Sequence, residues 1–210
     1  AVEKAVKDLG AAREVRHIDV LELTTKVFRA VYSKAYIDMV NKMPQVLGWL
    51  YDQMDTPWEN ERLRLALDKL NTRRFVKLLE TEEPDLCIST HFLPSEIISW
   101  LRAKERLAAR QAIVVTDFDV HAMWLCRHFE QYFVALDETK VLLEKLGIAP
   151  GKVTVSGIPI DPIFTVEKDR RSMRRKHGLD EEKTTILVSA GGFGVGPMER
   201  LVRSLLELVR

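Results

Sequence analysis

Two carboxylates, an imidazole and an indole stand between positions 117 and 124, in the stretch VVTDFDVHAMW. Asp117 and Asp119 form an Asp-x-Asp pair, and in extended chain both side chains point the same way. Such a pair can hold a divalent cation that bridges a nucleotide diphosphate. His121 can add a ligand or carry a proton near neutral pH. The same residues also suit a plainer arrangement, in which Asp117 caps a turn, Asp119 is solvated and Trp124 packs on the core. Both readings stay open on the residues alone.

Three other stretches carry side chains or backbone suited to a ligand. STHFLPSE (89–96) places Thr90 and His91 just after a predicted strand, where open α/β sheets bind ligands. His91 is there either structural or catalytic. AGGFGVGP (190–197) follows the predicted strand TILVS and precedes a helix. Gly191, Gly192, Gly194 and Gly196 let backbone approach a phosphate at that helix N-terminus, or simply form a tight turn. The spacing matches neither the dinucleotide fingerprint nor a P-loop, since no GK[ST] follows. VSGIPID (155–161) puts Gly157 and Pro159 at a strand end, as a stiff exit turn or in direct contact with a ligand, and a hinge role is compatible with either.

The elements that must hold these residues alternate along the chain. EVRHIDVLEL (14–23), EPDLCIST (83–90), QAIVVTD (111–117), QYFVAL (131–136) and GKVTVSGIPI (151–160) read as strands. QAIVVTD is continuously apolar, as a strand buried on both faces requires. Helices are predicted over the opening residues to Gly10, over about 25–54 with a break at Pro44, over about 58–80, and over 94–107 opened by Pro94 and Ser95. A further helix spans 137–147, capped by Asp137 and stopped by Gly147. Strand–helix alternation predicts an α/β fold with a parallel, doubly wound sheet.

The pattern changes after the strand-exit turn. Residues 1–162 read as one Rossmann-like domain, 163–183 as a charged linker ending in a short helix, and 184–210 as the start of a second α/β domain. The chain opens in a helix with no N-cap and closes in one with no stop signal, so it is expected to be an internal piece of a longer protein.

A net charge of +1 gives no global attraction to nucleic acid, and no nucleic-acid partner is expected. Basic residues cluster at Arg73–Arg74–Lys77, at Arg102–Lys104–Arg106–Arg110 and at Arg170–Arg171–Arg174–Arg175–Lys176. They read as solvated helix faces, or as weak attractors of anionic lipid. The aromatic and methionine residues of 25–54 suit a core, or a face lying on a bilayer. Cys87 and Cys126 are far apart and read as free thiols in a reducing compartment. No run approaches the ~20 apolar residues of a membrane span, so a cytoplasmic location is expected.

Taken together, EPDLCISTHF, VVTDFDVHAMW, YFVALDETKVLLEKLGI, KVTVSGIPIDPIF and ILVSAGGFGVGP resemble, in order and spacing, the diacylglycerol glycosyltransferases. These are the plant-type monogalactosyldiacylglycerol synthases and the bacterial processive glucosyltransferases, relatives of the lipid II-forming N-acetylglucosaminyltransferase. The resemblance covers most of 83–200 and is looser over 1–80. It implies a GT-B architecture of two Rossmann-like domains facing across a cleft, with the lipid acceptor on the N-terminal side and the UDP-sugar on the other. The reaction it implies is an inverting transfer of glucose or galactose to the 3-hydroxyl of diacylglycerol, at a membrane surface, with no metal or other cofactor. Thr90, His91, Asp117, His121 and Trp124 then line the acceptor side, and Gly191, Gly192, Gly194 and Gly196 the UDP-sugar side. Gly157 and Pro159 form the hinge. In the plant-type enzymes the matching tryptophan is tied to activation by anionic lipid, so His121 and Trp124 are expected to meet lipid rather than a cation. The family's glycine loop with its histidine base is expected before Ala1, and its UDP-gripping motifs after Arg210. The 210 residues alone are therefore expected to be inactive. Two other readings remain, a metal-dependent sugar transferase built on Asp117-x-Asp119 and a non-catalytic lipid- or nucleotide-binding module.

Overall fold

The computed structural model describes residues 1–30, 61–190 and 196–208. Its centre is a four-stranded, wholly parallel sheet in the order β1 (Leu86–Ser89), β2 (Arg110–Val114), β3 (Gln131–Val134), β4 (Val153–Val155). The register pairs Leu86 with Arg110, Ala112 with Gln131 and Tyr132 with Val153. In chain order the helices are α1 (Val2–Asp8), α2 (Lys26–Ala30), α3 (Glu61–Asn71), α4 (Arg73–Glu82), α5 (Phe92–Ala103), α6 (Asp137–Lys145), α7 (Arg170–Lys176) and α8 (Met198–Leu208). The predicted helix over 25–54 lies outside the described residues beyond Ala30.

The β–α alternation and the parallel sheet follow the expectation, but several boundaries do not. The four strands run in sequence order across the sheet. Residues 14–23 form no strand. Their alternating pattern ends in a 3-10 turn at Val20–Leu23, held by the Asp19 carboxylate accepting from the Leu21 N–H. Leu86 and Ile88, which share one face of β1, are 45% and 39% exposed. The single helix expected over 58–80 is two, broken at Thr72. That threonine is fully buried, and its hydroxyl bonds back to the Asp68 carbonyl, competing with helical continuation. Residues 184–190 adopt no strand, for they pair with no neighbour among the described residues and Leu187 is 88% exposed. A strand without a partner leaves its N–H and C=O groups to water.

Two packed clusters support the sheet. One joins α4 and α5 through Phe75, Val76, Leu79, Ile97, Ile98 and Leu101, with Leu107 and Ala109 beside them. These α4 positions step by one and three and give a strongly one-sided helix. The other gathers Ile113, Val115, Trp124, Tyr132, Val134 and Leu143 beneath the loop that follows β2. Each fully buried Ile or Leu contributes about 1.5–3 kcal/mol relative to exposure. Cys126 is buried and Cys87 half-buried, both as free thiols, and burial pushes the Cys87 thiol up to about 11. The basic cluster on α7 is not uniformly a solvated face. Arg174 is buried and donates to the Asp180 and Lys183 carbonyls and to the Thr185 hydroxyl, which holds the segment after α7 in place.

Candidate functional site

Because all four strands are parallel, the segments following them leave from one edge of the sheet. Thr90–His91 follow β1, Thr116–Trp124 follow β2, and Ser156–Pro159 follow β4. The first two meet. The Thr116 hydroxyl donates to the Thr90 carbonyl at 3.3 Å, tying the loop after β1 to the loop after β2.

His91 opens α5. Its backbone is extended, and its Nδ1 accepts the Leu93 N–H at 3.2 Å, as an N-cap side chain does. The helix thus begins at Phe92, two residues before the expected Pro94–Ser95 start, because an unprotonated imidazole supplies the cap. Ser95 instead donates to the His91 carbonyl. Likewise Asp137 is the first residue of α6 and not its cap. Leu136 holds that place with no side-chain bond, leaving the Asp137 charge to the helix dipole.

Around His91 lies an aromatic cluster whose centre the sequence reading missed. The Phe92 ring is 4.1 Å from His91, 5.1 Å from His121 and 5.9 Å from Trp124, edge-on to the last two. The only signal for Phe92 was its place in STHF, directly after a strand. His91 and His121 stand 6.3 and 6.2 Å from the Trp124 ring. The Trp124 Nε1–H donates to Asp117 Oδ2 at 2.8 Å, and His121 Nε2 stands 3.6 Å from the same oxygen.

Trp124 is 1% exposed and belongs to the core cluster beneath the loop. Of the readings left open for it, packing on the core is what the fold shows. Direct contact between this indole and a lipid is not what the surface presents, since the ring lies under α5 with its only polar atom bound. Tyr132, a second residue the sequence reading missed, locks this arrangement. Its hydroxyl donates to the Trp124 carbonyl at 2.8 Å and accepts the Cys126 N–H at 2.9 Å.

The two aspartates do different things. Asp117 serves the indole and faces His121. Asp119 accepts its neighbour's Val120 N–H at 2.8 Å, a local turn bond. Phe118 between them projects its ring to solvent, while its carbonyl accepts from the Thr139 hydroxyl on α6. No group of three His, Cys, Asp or Glu side chains among the described residues is arranged to hold a metal ion.

The remaining predicted residues lie apart. Gly157 has φ +75°, a left-handed turn that only glycine adopts freely, and its N–H reaches the Val134 carbonyl at 3.2 Å. Pro159 follows in irregular chain. Both are three strands from β1, so roughly 14 Å from His91 by strand spacing. Gly191, Gly192 and Gly194 lie outside the described residues. Gly196 has φ +119° just before α8. A surface groove of about 480 Å³ lies away from this edge, on the helical face between α3, α4 and α5.

Packing against its aromatic neighbours pushes the His91 imidazole below its ordinary pKa. The Asp117 carboxylate opposes that shift and His121 adds to it. His91 keeps an exposed edge. A lowered value in the folded state means that the unfolded chain binds the proton more readily. His91 therefore supports the fold fully above about pH 6.5, the ordinary histidine value. That support is lost progressively as pH falls from there through the depressed value of the folded state. Urea unfolding from pH 8 to 5 should show a steeper loss of stability in the wild type than in His91→Asn, which caps α5 without titrating. Equal slopes would remove His91 as the cause.

The parallel α/β sheet, with polar and aromatic side chains gathered at the C-terminal ends of its strands, is consistent with a Rossmann-like domain of the GT-B kind. The chain belongs to the monogalactosyldiacylglycerol (MGDG) synthase family, whose family model matches residues 1–160. It is similar to a processive diacylglycerol beta-glucosyltransferase of Bacillus pumilus (strain SAFR-032), 27% identical over 197 residues, which is 92% of this chain and 51% of that protein. It is also similar to the enzyme of the same description from Staphylococcus aureus (strain JH9), 37% identical over 170 residues, 81% of this chain and 38% of that protein. The chain thus spans about half or less of the length of these relatives. No helix among the described residues is long and apolar enough to cross a membrane.

Proposed function

We propose that this chain forms the acceptor side of a glycosyltransferase that moves glucose or galactose from a UDP-sugar to the 3-hydroxyl of 1,2-diacylglycerol. The observation that carries this reading is the family match over residues 1–160, whose named relatives glucosylate diacylglycerol. The edge formed by Thr90, His91, Asp117 and His121 supports it, since it offers polar groups beside the exposed ring of Phe118. A diacylglycerol head is one hydroxyl on an apolar body and suits such a mixed edge. The setting is the cytoplasmic surface of a membrane containing anionic lipid, with the protein bound peripherally.

In this reading the acceptor oxygen attacks the anomeric carbon from the face opposite UDP. The new C–O bond forms as the bond to the diphosphate breaks, UDP leaves with the electron pair, and configuration inverts. The acceptor proton passes to a base. His91 Nδ1 is committed to the Leu93 N–H and Asp117 Oδ2 to the indole, so neither is assigned that role. Backbone N–H groups and helix N-termini supply the charge stabilisation that UDP departure needs without a metal. Gly191, Gly192, Gly194 and Gly196 are proposed to provide them on the donor side, with Gly157 and Pro159 as the hinge.

The test is incubation of the full-length protein with diacylglycerol in mixed micelles and radiolabelled UDP-glucose or, in parallel, UDP-galactose. A labelled monohexosyl diacylglycerol from one donor, formed equally in EDTA, is expected. No labelled glycolipid from either would overturn the proposal. Loss of product in EDTA would instead return the Asp117-x-Asp119 pair to a metal role.

A further inference from the structure

Phe118 presents a large apolar ring to solvent, 69% exposed, in the loop that follows β2. A single exposed apolar side chain is ordinary on a protein surface. What sets this one apart is how firmly its surroundings are held. The hydroxyl of buried Thr139, on α6, donates to the Phe118 carbonyl at 2.7 Å. On one side the Asp117 carboxylate takes the indole N–H of buried Trp124 at 2.8 Å. On the other, the Asp119 carboxylate accepts the N–H of buried Val120 at 2.8 Å. Three consecutive residues are thus anchored, and the apolar one among them faces water.

A ring carried on an anchored loop loses little freedom when something packs on it, so contact there gives more affinity than contact with a mobile tip. Aromatic rings also offer large contact area. The charge around the ring limits what packs on it. Asp117 and Asp119 flank it with two carboxylates at the surface. They repel phosphate and carboxylate groups, and they oppose insertion of the loop into a bilayer that carries anionic lipid. An uncharged apolar body that brings a hydroxyl suits the position, since the hydroxyl can donate to a carboxylate while hydrocarbon covers the ring. The neighbouring loops fit this use. Thr116 ties the loop to Thr90 after β1, and Thr139 ties it to α6, where Leu136 at the helix start is a second exposed apolar side chain.

We infer that Phe118 is a specificity-determining residue of this edge, the contact that takes the apolar body of an uncharged glyceride. The identity of the acceptor rests on the sugar-transfer reading, whereas the contact itself is measured by binding and needs no turnover.

The experiment uses the full-length protein and its Phe118→Ala and Phe118→Leu variants. Leu70→Ala is the control, since it removes an exposed apolar side chain from α3 on the helical face. All three positions changed are at the surface, and melting temperatures equal to the wild type verify the fold. The probe is radiolabelled 1,2-dihexanoylglycerol kept below its aggregation limit, so that no lipid surface is present. Equilibrium dialysis gives its Kd, and initial rates give separate KM values for the glyceride and the UDP-sugar. Phe118→Ala is expected to weaken glyceride binding about tenfold and to raise the glyceride KM alike, with kcat and the UDP-sugar KM unchanged, as for a contact made equally in ground and transition states. Phe118→Leu should recover most of the affinity because it keeps apolar surface, and Leu70→Ala should match the wild type. A wild type that binds the glyceride through Phe118 yet transfers no sugar would end the transfer reading and uphold this one. Phe118→Ala binding the probe as the wild type does, a wild type that binds none, or an equal loss in Leu70→Ala would each overturn the inference. So would an effect of Phe118→Ala confined to diacylglycerol carried in vesicles, which would place the ring on a bilayer instead.

Discussion

Trp124→Ala is expected to lower the stability of the fold by about 3–5 kcal/mol, the range found when a buried large aromatic side chain is truncated. The indole is almost wholly enclosed, and its removal leaves a space beside Phe92 within the cluster that holds Ile113, Val115 and Tyr132. The strands on that boundary are held in a parallel ladder and cannot close over a gap of that size. Asp117 also loses the donor on its Oδ2, but it is half-exposed and water replaces that bond at little cost. Trp124→Phe keeps most of the buried ring and loses only the N–H, so it should cost about 1 kcal/mol. Urea denaturation of the two variants separates packing from hydrogen bonding. An alanine variant with an unchanged urea midpoint would show that the ring is not in the core. A loss of lipid response in Trp124→Ala would then be read through the displaced loop carrying Asp117 and His121, not through a missing lipid contact.

Tyr132→Phe should cost about 1–3 kcal/mol although it removes a single oxygen. The hydroxyl is fully buried and joins two backbone groups, accepting the Cys126 N–H and donating to the Trp124 carbonyl. Phenylalanine removes both of these bonds in a place water does not reach, so their desolvation is less well compensated. Burial also raises the tyrosine pKa well above its ordinary value, so the hydroxyl stays a donor throughout the neutral range. Amide hydrogen exchange at Cys126 should quicken in the variant while that of Val134, inside the ladder, changes only by the global loss of stability. Slow exchange at Cys126 with a stability change below about 0.5 kcal/mol would refute the bridging role. Combined with Trp124→Ala the effects should be less than additive, since both substitutions release the same turn.

These two residues mark where reading the sequence stops. VVTDFDVHAMW displayed its aspartates, and a metal pair was one sound reading of Asp-x-Asp. Nothing within the stretch says that Asp117 faces the indole while Asp119 bonds its own neighbour's amide. That division follows from the turn at Ala122–Trp124, and the turn is held by a hydroxyl from β3. The cap of α5 was hidden for a similar reason. Pro94 and Ser95 are the usual helix openers, but His91 already lies extended at the end of β1 with Nδ1 in reach of the Leu93 amide. The groove could be seen only as two separate basic clusters, because Lys69, Arg73 and Arg106 come from three elements that meet in space at Trp100.

What the sequence alone determined was the alternation of strands and helices, the apolar runs at the sheet centre and the segments that leave its C-terminal edge. These rest on local periodicity and on the rule that parallel strands expose their exits together. Only the tertiary structure decided that residues 14–23 and 184–190 form no strand, because a strand is completed by a neighbour and not by its own pattern. The same holds for Trp124. Its residue type allowed a surface or a core position, and the contacts of Tyr132, Phe92 and Asp117, each set by a different element, enclosed it.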